Sequence, residues 1–513
     1  MTNLNIPVGV SDFSQIRKNG YYYVDKTRLI SELLKKSTAN VTLITRPRRF
    51  GKTLAMSMLE HFFDIRHDNH SLFQDLEISH ESSICQTWMN QRPTLFITFK
   101  DVDGTTFDSA FDMLKFVISQ ICIEYSYLEQ GDTVSDAYKE IFKRLKNQTA
   151  SATDIKGSIL ILMKMMQAYY GKTVILLLDE YDVPVAKASN NGYYQEMLEI
   201  MKAMMSTSLK DNSSLCFAVV TGCLKIAKES IFTGTNNFVS DTITASRLNE
   251  YFGFTQNDVN QILKESNTTE YSDEIKVWYD GYHFGCFDVY CPWDVLNHCQ
   301  KLLADPSVQP QNYWINTSSN DVVRRFIEKS DSGMTRQEIE ALIAGEEIEK
   351  EICQELTYQD MYANIENIWS VLFMTGYLTY HGKPENNRFC LAIPNLEIRN
   401  IFTTQIMEYF RKNVQADGKT LKSFCDALEQ GDAETVEEIL QQYLKKTISI
   451  RDTFVQKQMK ENFYHGILLG ILGIKERWAV SSNRESGDGY SDIVVETENS
   501  EKGMILPYRR TAS

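Results

Sequence analysis

The sequence predicts an α/β protein: a parallel sheet with helices on both faces, then a mainly helical region, then a small strand-bearing end. Three observations carry this reading. From residue 41 short β-rich runs alternate with helical stretches; the first of them leads into RPRRFGKT, and a later one, VILLLDEYD, ends in two adjacent acids. Strand and helix alternation requires crossover connections, which cover a parallel sheet with helices.

At 513 residues the chain is too long for one ordinary core, so two or three domains are expected. A formal net charge of -15 disfavours broad electrostatic attraction to nucleic acid or an anionic membrane. Any contact with nucleic acid would have to be local. The start, MTNLNIPVGVSDF, lacks a basic-then-apolar signal layout, and the runs VILLL and GILLGILGI fall short of the roughly 20 residues of a membrane helix. A cytoplasmic protein without a membrane segment is expected. Ten cysteines without a CxxC pair read as reduced thiols. Cys286, Cys291, His298 and Cys299 match no standard zinc spacing and read as core residues.

The opening IPVGVSDFSQIRKNGYYYVDKTRLISELL supplies aromatic residues and one amphipathic helix, expected to pack on the sheet as an extension. VTLITR, TLFITFK, VILLLDEYD and SLCFAVVT then give four strands before residue 222, with KTLAMSMLEHFFDI and YYQEMLEIMKAMM among the helices between them. Past residue 245 the composition shifts. EYFGFTQNDVNQILKE, EIKVWYDGYHFG and CPWDVLNHCQKLL read as short helices joined by Gly, Pro and Asn turns, and helical pattern continues through KQMKENFYHGILLGILG. After residue 476 RWAVSSNRES, DIVVETE and KGMIL read as strands. The expected division is 1–245 for the sheet domain with its extension, 246–450 for a helical lid or middle region, and 451–513 for a small, partial α/β domain.

A phosphate loop needs successive backbone N–H groups pointing into one concavity at a helix N-terminus. Gly51 lets the backbone approach, Lys52 reaches the β and γ oxygens, and the Thr53 hydroxyl suits magnesium. Arg46 stands where the usual pattern has its first glycine, and Pro47 removes one N–H. Arg48 and Arg49 add charge beside a triphosphate, so that Arg46 to Arg49 are expected to reshape the approach; Arg48 through Leu54, Phe50 included, are the expected nucleotide-binding residues. A GKT at a helix start also arises by chance. The second motif changes that balance: Asp179, at the C-terminal end of a buried strand, can hold magnesium directly or through water, and Glu180 can orient or deprotonate the attacking water.

With TLFITFK between the two motifs and Glu next to Asp, the pattern is that of P-loop NTPases that use a glutamate for hydrolysis. Thr221, ending the next strand, is a candidate sensor of the γ-phosphate, and Lys228 and Arg247 are candidate second cations. The expected cofactors are ATP and Mg2+.

RPRRFGKT, LLLDEYDVP, VTGCLKIAKESIFTGTNN, WYDGYHFG, YCPWDVL, LFMTGYLTY and SNRESGDGYSDIVV together resemble a bacterial and archaeal family, the AAA-ATPase-like proteins with a C-terminal nuclease-like domain of the PD-(D/E)XK superfamily. The resemblance implies that RPRRFGK[ST] is the usual form of this loop, and that Asp25 and Lys26 of YVDKT lie near the nucleotide domain. It also implies a degenerate nuclease site at Glu461 and Asp492. Here the sequence departs from the pattern, because KGMIL continues into Pro507, Tyr508 and Arg509 where Glu-x-Lys is required, and ends at Ser513 as if truncated.

The leading reading is magnesium-dependent ATP binding and hydrolysis, coupled to conformational change of the helical region. One alternative is a non-hydrolysing ATP-dependent switch that orders an interaction surface. Another is a DNA-cleaving nuclease of a mobile-element or phage-defence system, disfavoured by the missing Glu-x-Lys. A protein partner or homo-oligomer fits the first two; nucleic acid is weakly supported as a partner.

Overall fold

The computed structural model describes residues 4–35, 40–225, 238–314, 321–329, 333–416, 418–445, 468, 472, 478–486, 489–497 and 503–506. The chain divides into two compact units, one of Met1–Tyr313 with Glu351–Thr379, the other of Trp314–Lys350 with Tyr380–Ser513. Residue 245, where the composition shifts, lies inside the first.

The first unit is built on a five-stranded sheet of β1 (Val41–Thr45), β2 (Thr94–Thr98), β3 (Val174–Asp179), β4 (Leu215–Gly222) and β5 (Phe238–Asp241), in the order β2-β3-β4-β1-β5. Every pairing is parallel. β1 and β3 are buried at every position, as continuous apolar runs are when helices cover both faces. The order differs from the chain order in an instructive way. TLFITFK precedes the Asp-Glu strand in sequence but forms the edge strand β2; the strand inserted in space between the loop strand and β3 is β4. Apolar pattern identifies strands, whereas crossovers choose their neighbours. β5, Phe-Val-Ser-Asp, was not among the expected strands because four residues with two polar ones give no periodic signal.

The N-terminal stretch forms α1 (Phe13–Lys18), capped by the Asp12 carboxylate on the Gln15 N–H, and α2 (Arg28–Leu34). Phe13 enters the same core as Phe62, Phe63 and Phe73, with ring centroids 4.9 Å from Phe73. Each such ring contributes about 1.5–3 kcal/mol by burial, enough to hold a short extension on the sheet domain. α3 (Lys52–Phe63) follows the loop after β1. The longer helices Phe107–Glu124 and Ala152–Tyr170 both start at capping boxes, Thr106 with Ser109 and Ser151 with Asp154. The second ends at Gly171 in the left-handed conformation.

Beyond the sheet the first unit adds the helices Gln256–Ser266, Ser272–Tyr279 and Pro292–Ala304 around a second core that includes Ile6, Phe254, Val295 and Leu302. The stretch read as helical at YDGYHFG instead holds a hairpin, β6 (Tyr282–Phe284) and β7 (Phe287–Val289). Its turn needs Gly285 at φ 59, because a Cβ there would sit 1.9 Å from the Ala245 carbonyl oxygen.

In the second unit the helices Asp321–Lys329, Gly333–Ala344, Leu396–Ala416, Gly418–Gln430 and Ala433–Lys445 satisfy the helical expectation. A three-stranded sheet of β8 (Ile348–Glu351), β9 (Thr379–Glu385) and β10 (Arg388–Ala392), in the order β8-β10-β9, interrupts it. At the C-terminal end β11 (Trp478–Ser486), β12 (Gly489–Thr497) and β13 (Gly503–Leu506) form an antiparallel sheet, with β13 paired to Ile493–Glu496 of β12. Asp492 lies on β12, but its side chain, Glu461 and the segment from Pro507 to Arg509 are outside the described residues. No helix among the described residues is long and apolar enough to cross a membrane.

Candidate phosphate-binding site

β1 ends at Thr45, and the Arg46 N–H continues its ladder onto the Gly222 carbonyl of β4 at 3.2 Å. The chain then turns through Arg49 (φ 72) and Gly51 (φ 80) into α3. Gly51 is the N-cap of α3, and no side chain caps the first turn or places an acid there. The leading N–H groups of a twelve-residue helix are thus left for an anion, with the helix dipole behind them.

Lys52 is 4 % exposed, and its Nζ donates to the carbonyls of Arg46 and Pro47, each at 3.1 Å. Burial works against its charge, but Cys223, Glu180, Asp179 and Asp182 outweigh it and hold the ammonium pKa above the usual value. The Glu180 carboxylate stands 3.7 Å away. The lysine therefore lies folded back on the loop's own carbonyls, with an acid beside it.

The parallel register brings the ends of β1, β2, β3 and β4 to one edge of the sheet, Thr98 beside Asp179 and Ile44 beside Thr221. There Asp179 accepts from both hydroxyls expected to work with it: Thr53 Oγ1 donates to its Oδ2 at 2.9 Å, and Thr221 Oγ1 donates to its Oδ1 at 2.5 Å. Burial pushes the Asp179 carboxyl above its usual range, and the Thr221 and Thr53 hydroxyls oppose that shift. Glu180 follows at φ 54, a left-handed conformation that costs a non-glycine residue about 1–3 kcal/mol and recurs at functional positions.

The basic run divides into three different roles. Arg46 does not reach the loop's approach, contrary to expectation. It is fully buried and bonds Asp241 Oδ1 at 2.5 Å, Asn249 Oδ1 at 2.6 Å and the Asp241 and Thr45 carbonyls at 2.8 Å. Arg49 lies over the Trp293 ring at 4.0 Å. Phe50 is buried against Tyr282 and Phe284, both at 5.0 Å, and anchors the loop on β6. Arg48 and Arg49 are both exposed, and Arg48 is the one beside Glu180 and Asp182: Cys223 holds its pKa above the usual value, and Glu180 and Asp182 act with it against burial.

Of the other candidates, Arg247 donates to the Glu32 carbonyl at 2.5 Å, away from Asp179, and Lys228 is outside the described residues. Asp25 and Lys26 acquire structural parts. Asp25 accepts from the N–H groups of Thr27 and Glu77, and Lys26 Nζ bonds Asp258 Oδ2 at 2.6 Å and the Glu250 carbonyl at 2.9 Å.

Sequence reasoning missed Asp182, Gly222 and Tyr358. Asp182 Oδ2 accepts from the N–H groups of Cys223 and Leu224 and from the Tyr358 hydroxyl at 3.1 Å, and burial followed by Glu180 raises its pKa to about 6. A third acid directly after LLLDEY was a visible signal; Tyr358, 176 residues away, gave none. Gly222 is needed for a different reason, since a Cβ there would lie 2.6 Å from both Asp182 Oδ1 and Tyr181 Cε1. Gly222→Ala is expected to destabilise the protein by about 1–3 kcal/mol, the usual cost of overpacking. Denaturant unfolding measures it, and an unchanged midpoint would mean that this edge has room to give.

Residues 7–232 match a family model described as Predicted AAA-ATPase, a segment that contains the loop, Asp179, Glu180, Asp182 and Thr221. The chain is also similar to an uncharacterized protein in the vnfD 5' region of Azotobacter chroococcum mcd 1, at 28% identity over 321 residues. That match covers 62% of this chain and 55% of the relative's length. The match to the AAA-ATPase model supports ATP binding.

Proposed function

We propose that this site binds ATP with magnesium and hydrolyses it, and that nucleotide state is passed to the segment returning at Glu351–Thr379. The observation that carries the reading is the convergence of Thr53 and Thr221 on the two oxygens of Asp179, beside an uncapped helix N-terminus and Lys52.

Thr53 and Asp179 present adjacent hard oxygen donors, which fit Mg2+; when bound, the ion would neutralise phosphate charge. The chain's own groups account for the rest. Incoming phosphates displace Lys52 Nζ from the Arg46 and Pro47 carbonyls, because a charged acceptor is stronger than two neutral ones. Gly51 and the first turn of α3 donate N–H groups to the same oxygens. Lys52 then no longer balances Glu180, which is free to take a proton from the attacking water. The Thr221 hydroxyl, now on Asp179 Oδ1, is the group assigned here to turn to a γ-phosphate oxygen.

The coupling has a physical candidate. Tyr358 bonds Asp182, Gln354 accepts from Thr244 Oγ1 at 3.1 Å, and Glu355 pairs with Lys225 at 3.0 Å, so the returning segment meets the ends of β4 and β5. The chain leaves that segment at both ends for the second unit.

Steady-state phosphate release and equilibrium ATP binding test the proposal. Lys52→Ala is expected to weaken ATP binding by about 100-fold or more, the loss of a charge-assisted contact of roughly 3 kcal/mol. ATP bound by wild type with no phosphate release would favour a non-hydrolysing switch; no ATP binding at all would remove both readings.

A further inference from the structure

The loop takes two residues through left-handed conformations, Arg49 at φ 72 and Gly51 at φ 80. Glycine adopts such a conformation unaided, whereas an arginine holds it only where its surroundings impose it. The surroundings of Arg49 come from the start of the helix Pro292–Ala304, where Cys291 is the N-cap, 242 residues along the chain.

Three consecutive contacts there converge on one residue. The Trp293 ring lies under the Arg49 guanidinium at 4.0 Å, and the Cys291 thiol donates to the Arg49 carbonyl at 3.9 Å. Burial lowers the Arg49 pKa, and Cys291 and the buried Asp294 oppose that. Trp293 is itself held in place. Its Nε1–H donates to the Tyr313 carbonyl at 3.4 Å, and Gly9 of the N-terminal extension packs at its edge, where a Cβ would lie 4.0 Å from Cζ3. An arginine stacked on a ring is common on protein surfaces. A stack on the side chain together with a bond to the carbonyl of the same left-handed residue does more, because it fixes a backbone conformation. The chain leaving Arg49 leads through Phe50 into Gly51 and the first turn of α3, whose N–H groups are the anion donors, and a small rotation there would misaim them.

We propose that Trp293 is a positioning residue for the phosphate loop: it pins Arg49 in the conformation that aims the N–H groups of Gly51 and α3, and Arg49 is the pin rather than a phosphate ligand. The proposal rests on the phosphate site described above. It extends the nucleotide machinery to the YCPWD stretch, beyond the residues 7–232 that match the AAA-ATPase model.

Calorimetric binding of ATP with Mg2+ to the full chain, across a cycle of Arg49→Ala, Trp293→Leu and the double variant, tests it. Each single variant is expected to weaken ATP by about 3- to 30-fold, the range for losing a cation–ring contact, and the double variant by no more than about 2-fold beyond the weaker single one. Trp293→Phe keeps a ring face but not the bond to Tyr313, and is expected to bind ATP within about 2-fold of wild type. Losses that multiply in the double variant would overturn the proposal, since Arg49 would then act independently of the ring. Trp293→Leu with a lowered unfolding midpoint but unchanged ATP affinity would overturn it as well, because the ring would then be structural only. If Trp293→Leu does not fold, judged by circular dichroism, Arg49→Lys decides: the charge is kept without the planar stacking group, so a loss of at least about 3-fold supports the pin, and wild-type affinity overturns it. Indifference of all these variants while Lys52→Ala still weakens ATP leaves the phosphate site standing without the pin. Failure of wild type to bind ATP would instead remove the phosphate site, and this proposal with it.

Discussion

Glu180→Gln is expected to lower ATP turnover by about 100- to 10,000-fold, the range for losing a general base or water-orienting carboxylate, while ATP still binds. Glutamine keeps the size of the side chain and tolerates the position equally, so the backbone at φ 54 is unchanged. What disappears is the ability to accept a proton, together with the negative charge 3.7 Å from Lys52. Losing that charge favours ligand binding, because the lysine no longer leaves a partner when it moves to the phosphates. ATP affinity in the variant is therefore expected to equal or exceed that of wild type by a few-fold, about 0.5–1 kcal/mol of attraction removed from a partly exposed pair. The two readouts separate the roles. Turnover within about 3-fold of wild type would exclude Glu180 as the base. Loss of binding alongside turnover would make it a structural support of the loop instead. A slow rate with intact binding is the result that a catalytic Glu180 requires.

The parts of this site that can be read from sequence are those whose geometry is local. Gly51, Lys52 and Thr53 are consecutive, and the turn from strand to helix sets where they point. Asp179 and Thr221 are legible for a related reason: each ends an apolar run, and parallel strands deliver their ends to one edge. What could not be read is which strands are neighbours. Placing β4 between β1 and β3 lets Thr221 and Thr53 reach Asp179 from both sides, and nothing in the apolar pattern specifies that order. The same limit hid the Tyr358 contact with Asp182. It also explains the misreading of Arg46. Compared with a glycine in a loop pattern, an arginine looks like a change of approach; its charged partner, Asp241, lies on β5, a strand too short and polar to notice, 195 residues along the chain.

Arg46→Met is accordingly expected to destabilise the first unit by about 3–5 kcal/mol, the cost of breaking a buried ion pair by removing one partner. Asp241 is 2 % exposed and would keep its charge without compensation, and Asn249 together with the Thr45 and Asp241 carbonyls would lose donors. Lysine is no substitute, since a point charge cannot serve four acceptors in the guanidinium's plane. Removing both charges is a different matter: Arg46→Met with Asp241→Leu leaves no buried charge and is expected to recover most of the loss. Unfolding midpoints of the two single variants and the double variant form the cycle that measures this coupling. ATP binding measured well below the unfolding temperature then assigns the role. A residue that holds β1 to β5 predicts a large stability loss with affinity changed by no more than a few-fold, because no phosphate can reach a guanidinium with no exposed surface. A phosphate-contacting residue predicts the reverse, an affinity loss of about 10-fold or more with little change in stability. The first outcome would mean that the arginine in the glycine position left the nucleotide to Gly51, Lys52 and Thr53, and exchanged loop freedom for a fifth strand.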